Sequence, residues 1–596
     1  FRGRLLPEVP LAHEPTRREV LEGAAVVAAS AALTGLAGTA LAATKHTVPR
    51  YLVEQLRAEG VDVLFGVPGA TCDPFFAATD EAGMRVVITA SDLEAGYAAD
   101  AYARCRGLAA VSVTYGVGTL ALLPVVAGAF AEGSPMVLIN GGPSSKDLAL
   151  QDEDGTLFSH SCGLPDGDLQ AFRPFTCYAA RAERTDDVPR VMQEALRAAR
   201  RHQQPVYVEI AKHLWWGSVT AEVAPVSLPE RPAGEATAVA RDIRERLAVA
   251  ERPVVLLGSQ LRRRGLQDAA RAWLDAVQAP WLTTFLGKAV LDEQGAGFAG
   301  VYAGGRSVPE VKARVEQADV VVALGCVMGR QLRTLASDRK ATLVRVDGDR
   351  ARLGGAPFVA ADLGAVLEAL RADASPVAAP FPGLTDRRFA ARRASIDPRP
   401  PPPVQQQEVG LTYDELLAEV SALISDRELL ITDTSLSMYP AAEVDVQGRD
   451  AFLCNGVWQA IGYSCAAAVG ACLGQGRRPV AVVGDGGFQM TAQAMSTLAQ
   501  YQLPAVVLVV DNGLYGIEQW LLDPKWHRDG TYEPRPYLAL NRWKHEGLAE
   551  ALGAEGERVA TPAALREALT RALASERPTL LAVTVRPHAL PAELRT

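Results

Sequence analysis

The chain has few cysteines, and none is arranged to build a metal module. Eight are spread over 596 residues: Cys72, Cys105, Cys162, Cys177, Cys326, Cys454, Cys465 and Cys472. None forms a CxxC pair and no Cys/His cluster has zinc spacing, which excludes the common structural zinc modules. Most lie in apolar or Ala-rich segments such as residues 465–472 and read as small buried hydrophobes. An even count in so long a chain does not imply a disulfide framework. Basic runs are missing as well. No block of Lys and Arg would track a phosphate backbone, and the net charge is −9. Nucleic acid is thereby excluded as a partner, and the charge serves solubility. A strongly apolar run of membrane-spanning length is also absent. The one candidate, residues 23–41, is diluted by Ala and Gly.

What is present is material for large cores: 48% of residues are hydrophobic and 22% charged. The length predicts three or four domains. At the start, Thr16-Arg17-Arg18-Glu19-Val20-Leu21 precedes the Ala/Gly-rich stretch, which ends in Ala40-Leu41-Ala42 before Ala43. This order resembles a twin-arginine export signal, with Val20 where that pattern favours Phe. It implies a periplasmic protein, free of the membrane once the signal is removed. A membrane anchor, or an Arg pair before an Ala-rich helix in a cytoplasmic protein, are the competing readings.

Beyond the signal region (1–43), short apolar runs alternate with helical stretches and Gly/Pro turns, the pattern of parallel α/β units. The expected fold is α/β, with three doubly wound parallel-sheet domains at 44–225, 226–395 and 407–596. Residues 224–234 read as a linker between the first two. The tract 397–404, within a linker spanning 396–406, is expected to be an extended spacer, too rich in Pro for a helix. In the third block, Pro479–Val483 and Ala505–Val510 are continuous apolar runs, as buried parallel strands require.

Two strand ends in that block carry the strongest chemical signal. Val483-Gly484-Asp485-Gly486-Gly487 follows one apolar strand, and Asp511-Asn512-Gly513-Leu514-Tyr515 follows the next. Ligands of open parallel sheets sit at such ends. Glycines allow a diphosphate to approach the backbone, and a helix start offers it N–H groups. Asp485 can give Mg²⁺ a carboxylate oxygen, Asn512 an amide oxygen and Leu514 a backbone carbonyl, the oxygen ligands that this cation prefers.

Together the two halves resemble the thiamine-diphosphate motif, a GDG followed some 25 residues later by an Asn. The resemblance extends from Thr47 to the C-terminal region. Asp92–Arg104 looks like the helix that activates the cofactor in this superfamily, and Ala110–Gly118 is similar to the strand and turn after it. Residues 286–293, 300–304 and 308–311, with Gln489, Thr491 and Tyr515–Glu518, resemble the pyruvate and indolepyruvate decarboxylase branch. The resemblance implies pyrimidine-binding, central and diphosphate-binding domains. The cofactors it implies are thiamine diphosphate and Mg²⁺, and the substrate a small 2-oxo acid that loses CO₂. A homodimer or homotetramer is also implied, with each site shared between two subunits.

By the same resemblance, Gly484, Gly486, Gly487, Tyr515, Gly516 and Ile517 line the cofactor beside Asp485, Asn512 and Leu514. Gln459 stands where a backbone carbonyl meets the aminopyrimidine, and Ile461 matches the apolar wedge that bends the cofactor. Glu518 and His160 match proton-handling groups. Asp92 stands where the family places the activating Glu, one methylene shorter; Glu94 is the alternative, some 200° around the helix. Ala70 stands where decarboxylases carry an Asp, Ser159 replaces the first of two histidines, and Gln459 replaces a small residue. A proton network thinned in this way suggests carboligation to an acyloin as a main or side activity. An acetolactate-synthase-like carboligase, with FAD in the central domain, and a non-catalytic thiamine-diphosphate binding protein are the rival readings. Trp458, Trp520 and Trp526 lie near the motif in sequence, either beside the site or in the core.

Overall fold

The computed structural model describes residues 43–229, 233–338, 343–377, 383–384, 386–397 and 402–595. The segment on which the export-signal reading rests lies outside the described residues.

Three large sheets follow one another along the chain, beside a two-stranded one of Thr44–Thr47 and Ser218–Ala221, and the first and third large sheets share a topology. In the first, the strands lie in the order Arg85–Ile88, Val63–Gly66, Ala109–Ser112, Met136–Gly142, Val206–Ala211, Tyr178–Ala182. In the third, the order is Phe452–Cys454, Glu428–Thr432, Arg478–Gly484, Val506–Asp511, Thr579–Thr584, Glu555–Val559. Numbered within its own domain, each sheet reads 2-1-3-4-6-5, and all pairings in both are parallel. Parallel strands need helical crossovers that cover both faces, so the central strands are apolar throughout: Val506–Asp511 is buried at every residue.

The central sheet is parallel over five strands and ends in an antiparallel edge. Arg350–Leu353 pairs antiparallel with Leu343–Val346, and Val359–Ala360 pairs antiparallel with Arg350–Leu353. Such an edge is common on otherwise parallel sheets. The Pro-rich tract differs from expectation at its end, while residues 398–401 lie outside the described residues. Pro403–Gln406 forms a turn of helix, because Pro at the first helical position gives up no hydrogen bond and brings a helical φ. Gln405 is buried there and donates to the His588 carbonyl at 2.7 Å. All eight cysteines are free; Cys162 is exposed, unlike the buried or partly buried others.

The first and third domains meet through equivalent helices. Asp92–Arg106 and Tyr463–Gln475 each connect the second and third strands of their own sheet. Both are nearly all Ala, Gly and small residues on the shared face, so their backbones come close. A Cβ on Gly470 would lie 2.7 Å from the Ala98 carbonyl carbon and 2.9 Å from the Tyr102 nitrogen. Tyr97 and Tyr463 meet edge to face at 5.5 Å.

Candidate active site

A cavity of about 840 Å³ opens at the strand ends of the third sheet. Three strands deliver chain to it: residues 434–436 after Glu428–Thr432, residues 484–487 after Arg478–Gly484, and residues 512–518 after Val506–Asp511. Gln459 and Ile461 enter from the segment before Tyr463–Gln475. The sequence-predicted residues Gln459, Ile461, Gly484, Asp485, Gly486, Gly487, Asn512, Leu514, Tyr515, Gly516, Ile517 and Glu518 therefore line one cavity.

Asp485 begins the helix Asp485–Thr491 and ties the two halves of the motif together. Its carboxylate accepts from the Gly486 N–H at 3.0 Å and from the Gly513 N–H at 2.7 Å. It is only 3% exposed, and burial pushes its pKa up to about 7. Asn512 is oriented from both ends: its Nδ2 donates to Tyr413 Oη at 2.9 Å and its Oδ1 accepts from Leu514 N–H at 3.1 Å. A Cβ on Gly486 would strike the Tyr515 ring, whereas one on Gly484 would come no nearer than 3.7 Å to Ser435. Among the described residues, no group of three or more His, Cys, Asp or Glu could hold a metal ion. The donors gathered here are instead one carboxylate, one amide and a carbonyl, an all-oxygen set that suits a hard divalent cation completed by diphosphate oxygens.

Ile461 is held by its neighbours. Gln459 has a φ of +61° and Gly462 one of +83°. Asp433, at the end of the first strand of this sheet, accepts from Gly462 N–H at 3.1 Å, Ser464 N–H at 2.9 Å and Ser464 Oγ at 3.0 Å. Thr491 Oγ1 donates to the Gly462 carbonyl at 2.6 Å. The residue beside Ile461 is thus fixed from two sides.

Asp92 and His160 are not on this cavity. They gather at the strand ends of the first sheet, around the turn 114–118. Asp92 opens its helix, with Ser91 as N-cap. Its Oδ1 lies 2.8 Å from where a Gly118 Cβ would be, and has no hydrogen-bond partner. Burial raises the pKa of Asp92. Glu94 turns the other way: it is fully buried, accepts from Ala90 N–H at 3.1 Å, and burial pushes its pKa up to about 7. His160, exposed and at a φ of +69°, packs its backbone on Gly116. Asp168, buried, accepts from Gly116 N–H at 2.8 Å and pins that turn. Exposed apolar side chains surround this face, among them Val117, Leu157 and Leu164. Met490, Leu521 and Leu522 are likewise exposed on the third domain, on or beside the segments that form the cavity.

Three stretches of the chain match domain models of one family. Residues 46–160 match the thiamine pyrophosphate enzyme N-terminal TPP binding domain, 240–370 its central domain and 434–583 its C-terminal TPP binding domain. The sequence is 31% identical over 545 residues to an alpha-keto-acid decarboxylase of Mycolicibacterium paratuberculosis, covering 88% of this chain and 91% of the relative. It is 30% identical over 566 residues to an alpha-keto-acid decarboxylase of Mycobacterium tuberculosis, covering 91% and 95%. A pyruvate decarboxylase of Kluyveromyces marxianus is 28% identical over 543 residues, covering 86% and 90%. The chain belongs to the thiamine pyrophosphate enzyme family.

For a member of this family, several cavity residues carried no sequence signal. Tyr413 lies 99 residues before the Asn512 it supports. Thr434 and Ser435 follow an ordinary apolar strand; only the polar run Thr432–Ser435 at its end marks them. Arg306, Arg330 and Arg333 reach the wall from the central domain, and isolated arginines on loops are unremarkable in sequence. Of the three tryptophans, Trp520 lines the cavity under the Arg306 guanidinium, 5.1 Å above its ring. Trp526 is core, stacked on His588, and Trp458 packs against Gly128.

Proposed function

We propose that this chain decarboxylates a 2-oxo acid with thiamine diphosphate and Mg²⁺. The observation that carries the reading is the single cavity uniting Asp485, Asn512 and Leu514 with Ile461 and Glu518. Asp485 and Asn512, with the Leu514 carbonyl, hold the cation, and the glycines 484, 486 and 487 admit the diphosphate. Ile461 lies under the bent cofactor, its position fixed through Asp433. Bound thiamine diphosphate supplies the electron sink that allows CO₂ to leave. Glu518, at the cavity wall, moves protons at the reacting carbon. Names borne by relatives, alpha-keto-acid decarboxylase and pyruvate decarboxylase, support the substrate class.

The remaining groups come from a second copy in this reading. Asp92 and His160 sit on an exposed apolar face, and exposed apolar side chains flank the cavity. Apposing the two faces in a homodimer, alone or within a tetramer, buries both and brings a carboxylate and an imidazole to each cofactor. Asp92, whose Oδ1 is unpartnered, is the activating group; Glu94 is committed to its own chain. The Arg17-Arg18 pair and the Ala40-Leu41-Ala42 site support export to the periplasm.

The face around Asp92 also supports carboligation. Ala70 and Ser159, both exposed there, bring neither a carboxylate nor an imidazole. Slow proton delivery leaves time for a second carbonyl compound to react. The test is CO₂ release from pyruvate, phenylpyruvate, indolepyruvate and branched 2-oxo acids, with and without an acceptor aldehyde. Wild type is compared with Asp92→Ala and Asp485→Ala. Cofactor-dependent release, lost in both variants, is the expected result. No release from any acid by the cofactor-loaded protein refutes decarboxylation, and aldehyde as sole product with an acceptor present refutes carboligation.

A further inference from the structure

A second cavity, of about 490 Å³, lies where the three domains meet. It shares no lining residue with the cofactor cavity. Six arginines line it: Arg104 and Arg106 at the end of the helix Asp92–Arg106, Arg200, and Arg262, Arg263 and Arg264 from the central domain. Asp362 and Asp450 are its acidic lining residues.

The guanidinium groups are not all matched by acceptors. Arg104 is paired with Asp100 and Glu132, Arg106 with Asp62, Arg200 with Glu59, and Arg262 with Asp450. Arg263 and Arg264 have no ion pair among the described residues. Arg104 Nη2, Arg262 Nη2 and Arg264 Nη1 are buried without an acceptor, and the Arg104 side chain is only 3% exposed. Buried donors left unmade are costly. Burial, and then the charge of Arg104, push the pKa of Arg263 down to about 9 against the opposing pull of Glu132 and Asp100, so it remains charged at neutral pH. The helix Gln267–Val277 starts at the rim with Leu266 as N-cap and no side chain capping it, which adds open N–H groups.

We propose that this junction is a binding site for a compact anion bearing more than one phosphate group. Guanidinium forks match phosphate oxygens in pairs, and the buried donors left without acceptors are what such an anion satisfies. Among the described residues no aromatic side chain lines the cavity, so none there offers a base a stacking surface; recognition is of phosphates rather than of a nucleoside. The ligand would touch the end of the helix that Asp92 begins and the central domain, and would tie the two together.

The test uses the full chain loaded with thiamine diphosphate and Mg²⁺, so that the cofactor cavity is filled. Fructose 1,6-bisphosphate is titrated by calorimetry at low salt, with inorganic phosphate and ADP in parallel. The bisphosphate is expected to bind, more tightly than inorganic phosphate, and to raise the melting temperature. Arg264→Gln weakens binding at least tenfold with unchanged CO₂ release. Arg106→Gln, at an exposed side chain that tolerates change, weakens it at least threefold. No heat with millimolar bisphosphate, or equal affinity in both variants, overturns the proposal; tighter binding of ADP than of the bisphosphate overturns the assignment to a compact anion.

Discussion

Replacing Gly470 with alanine sets two effects of opposite sign against each other. Within a helix, alanine is favoured over glycine by about 1 kcal/mol, and Gly470 lies inside Tyr463–Gln475. Against this, the new Cβ would lie under 3.0 Å from three backbone atoms of the partner helix, the Ala98 carbonyl oxygen and carbon and the Tyr102 nitrogen. Backbone cannot rotate away as a side-chain tip can, and Ala98, Ala99, Ala101 and Tyr102 are all fully buried. Overpacking of this kind costs roughly 1–3 kcal/mol, toward the upper end where backbone must move. Net destabilisation is therefore about 1–2 kcal/mol. Gly547, in the helix His545–Ala551, is the matched control: nothing but Lys544 Cβ, at 3.9 Å, is near its added methyl. There the propensity term acts alone, and Gly547→Ala gains about 1 kcal/mol. Scanning calorimetry of both variants, at several scan rates, should show melting temperatures displaced in opposite directions by a few degrees. A Gly470→Ala protein as stable as Gly547→Ala would refute the claim that close backbone approach decides that position. Because the partner helix begins at Asp92, Gly470→Ala should also raise the cofactor concentration needed for half-maximal activity.

Asp485→Asn should abolish Mg²⁺-dependent binding of thiamine diphosphate, and chelation of Mg²⁺ in the wild type should release the cofactor; protein fluorescence on titration reads both. Glu94 has a raised folded pKa of about 7, so its contribution is present at low pH and lost as pH rises from its unfolded value toward and through 7. Glu94→Gln should match wild type near pH 4 and be more stable at pH 9 by up to about 3 kcal/mol; denaturant melts with no such divergence would contradict the burial argument. Glu518→Gln and His160→Ala should each lower kcat by roughly 10²-fold or more while leaving cofactor affinity within a few-fold. Steady-state kinetics at saturating cofactor separates this outcome from a loss of binding.

The grouping of the glycines with Asp485 and Asn512 in one cavity was legible because these parts are local. Each glycine or ligand residue follows directly on an apolar strand, and parallel topology sends strand ends to one edge. Tyr413 and Asp433 act on distant partners and belong to no short motif, so only packing reveals them. The proposed preference for Asp92 over Glu94 rests on the helix start. The first turn aims Asp92 at Gly118, whereas Glu94 folds back on Ala90. The end of the Pro-rich tract misled because Pro403, read as part of a spacer, occupies the first position of a helix. Reading the cysteines as small hydrophobes fails at Cys162, which lies on the exposed segment after His160.

The repeated 2-1-3-4-6-5 order has a genetic consequence. Each chain carries two non-equivalent half-sites on matching frameworks, so in the proposed homodimer every complete site draws on both gene products. A lesion at Asp92 and a lesion at Asp485, carried on separate chains, fall together at one of the two sites of a mixed dimer and leave the other intact. Random mixing makes half the dimers mixed, so two inactive alleles expressed together recover about a quarter of normal activity. A single allele carrying both lesions recovers none on its own, and it inactivates both sites of every dimer it forms with a wild-type chain. Heterozygous cells would thus read the architecture directly, as complementation between alleles or as dominance of one over the other.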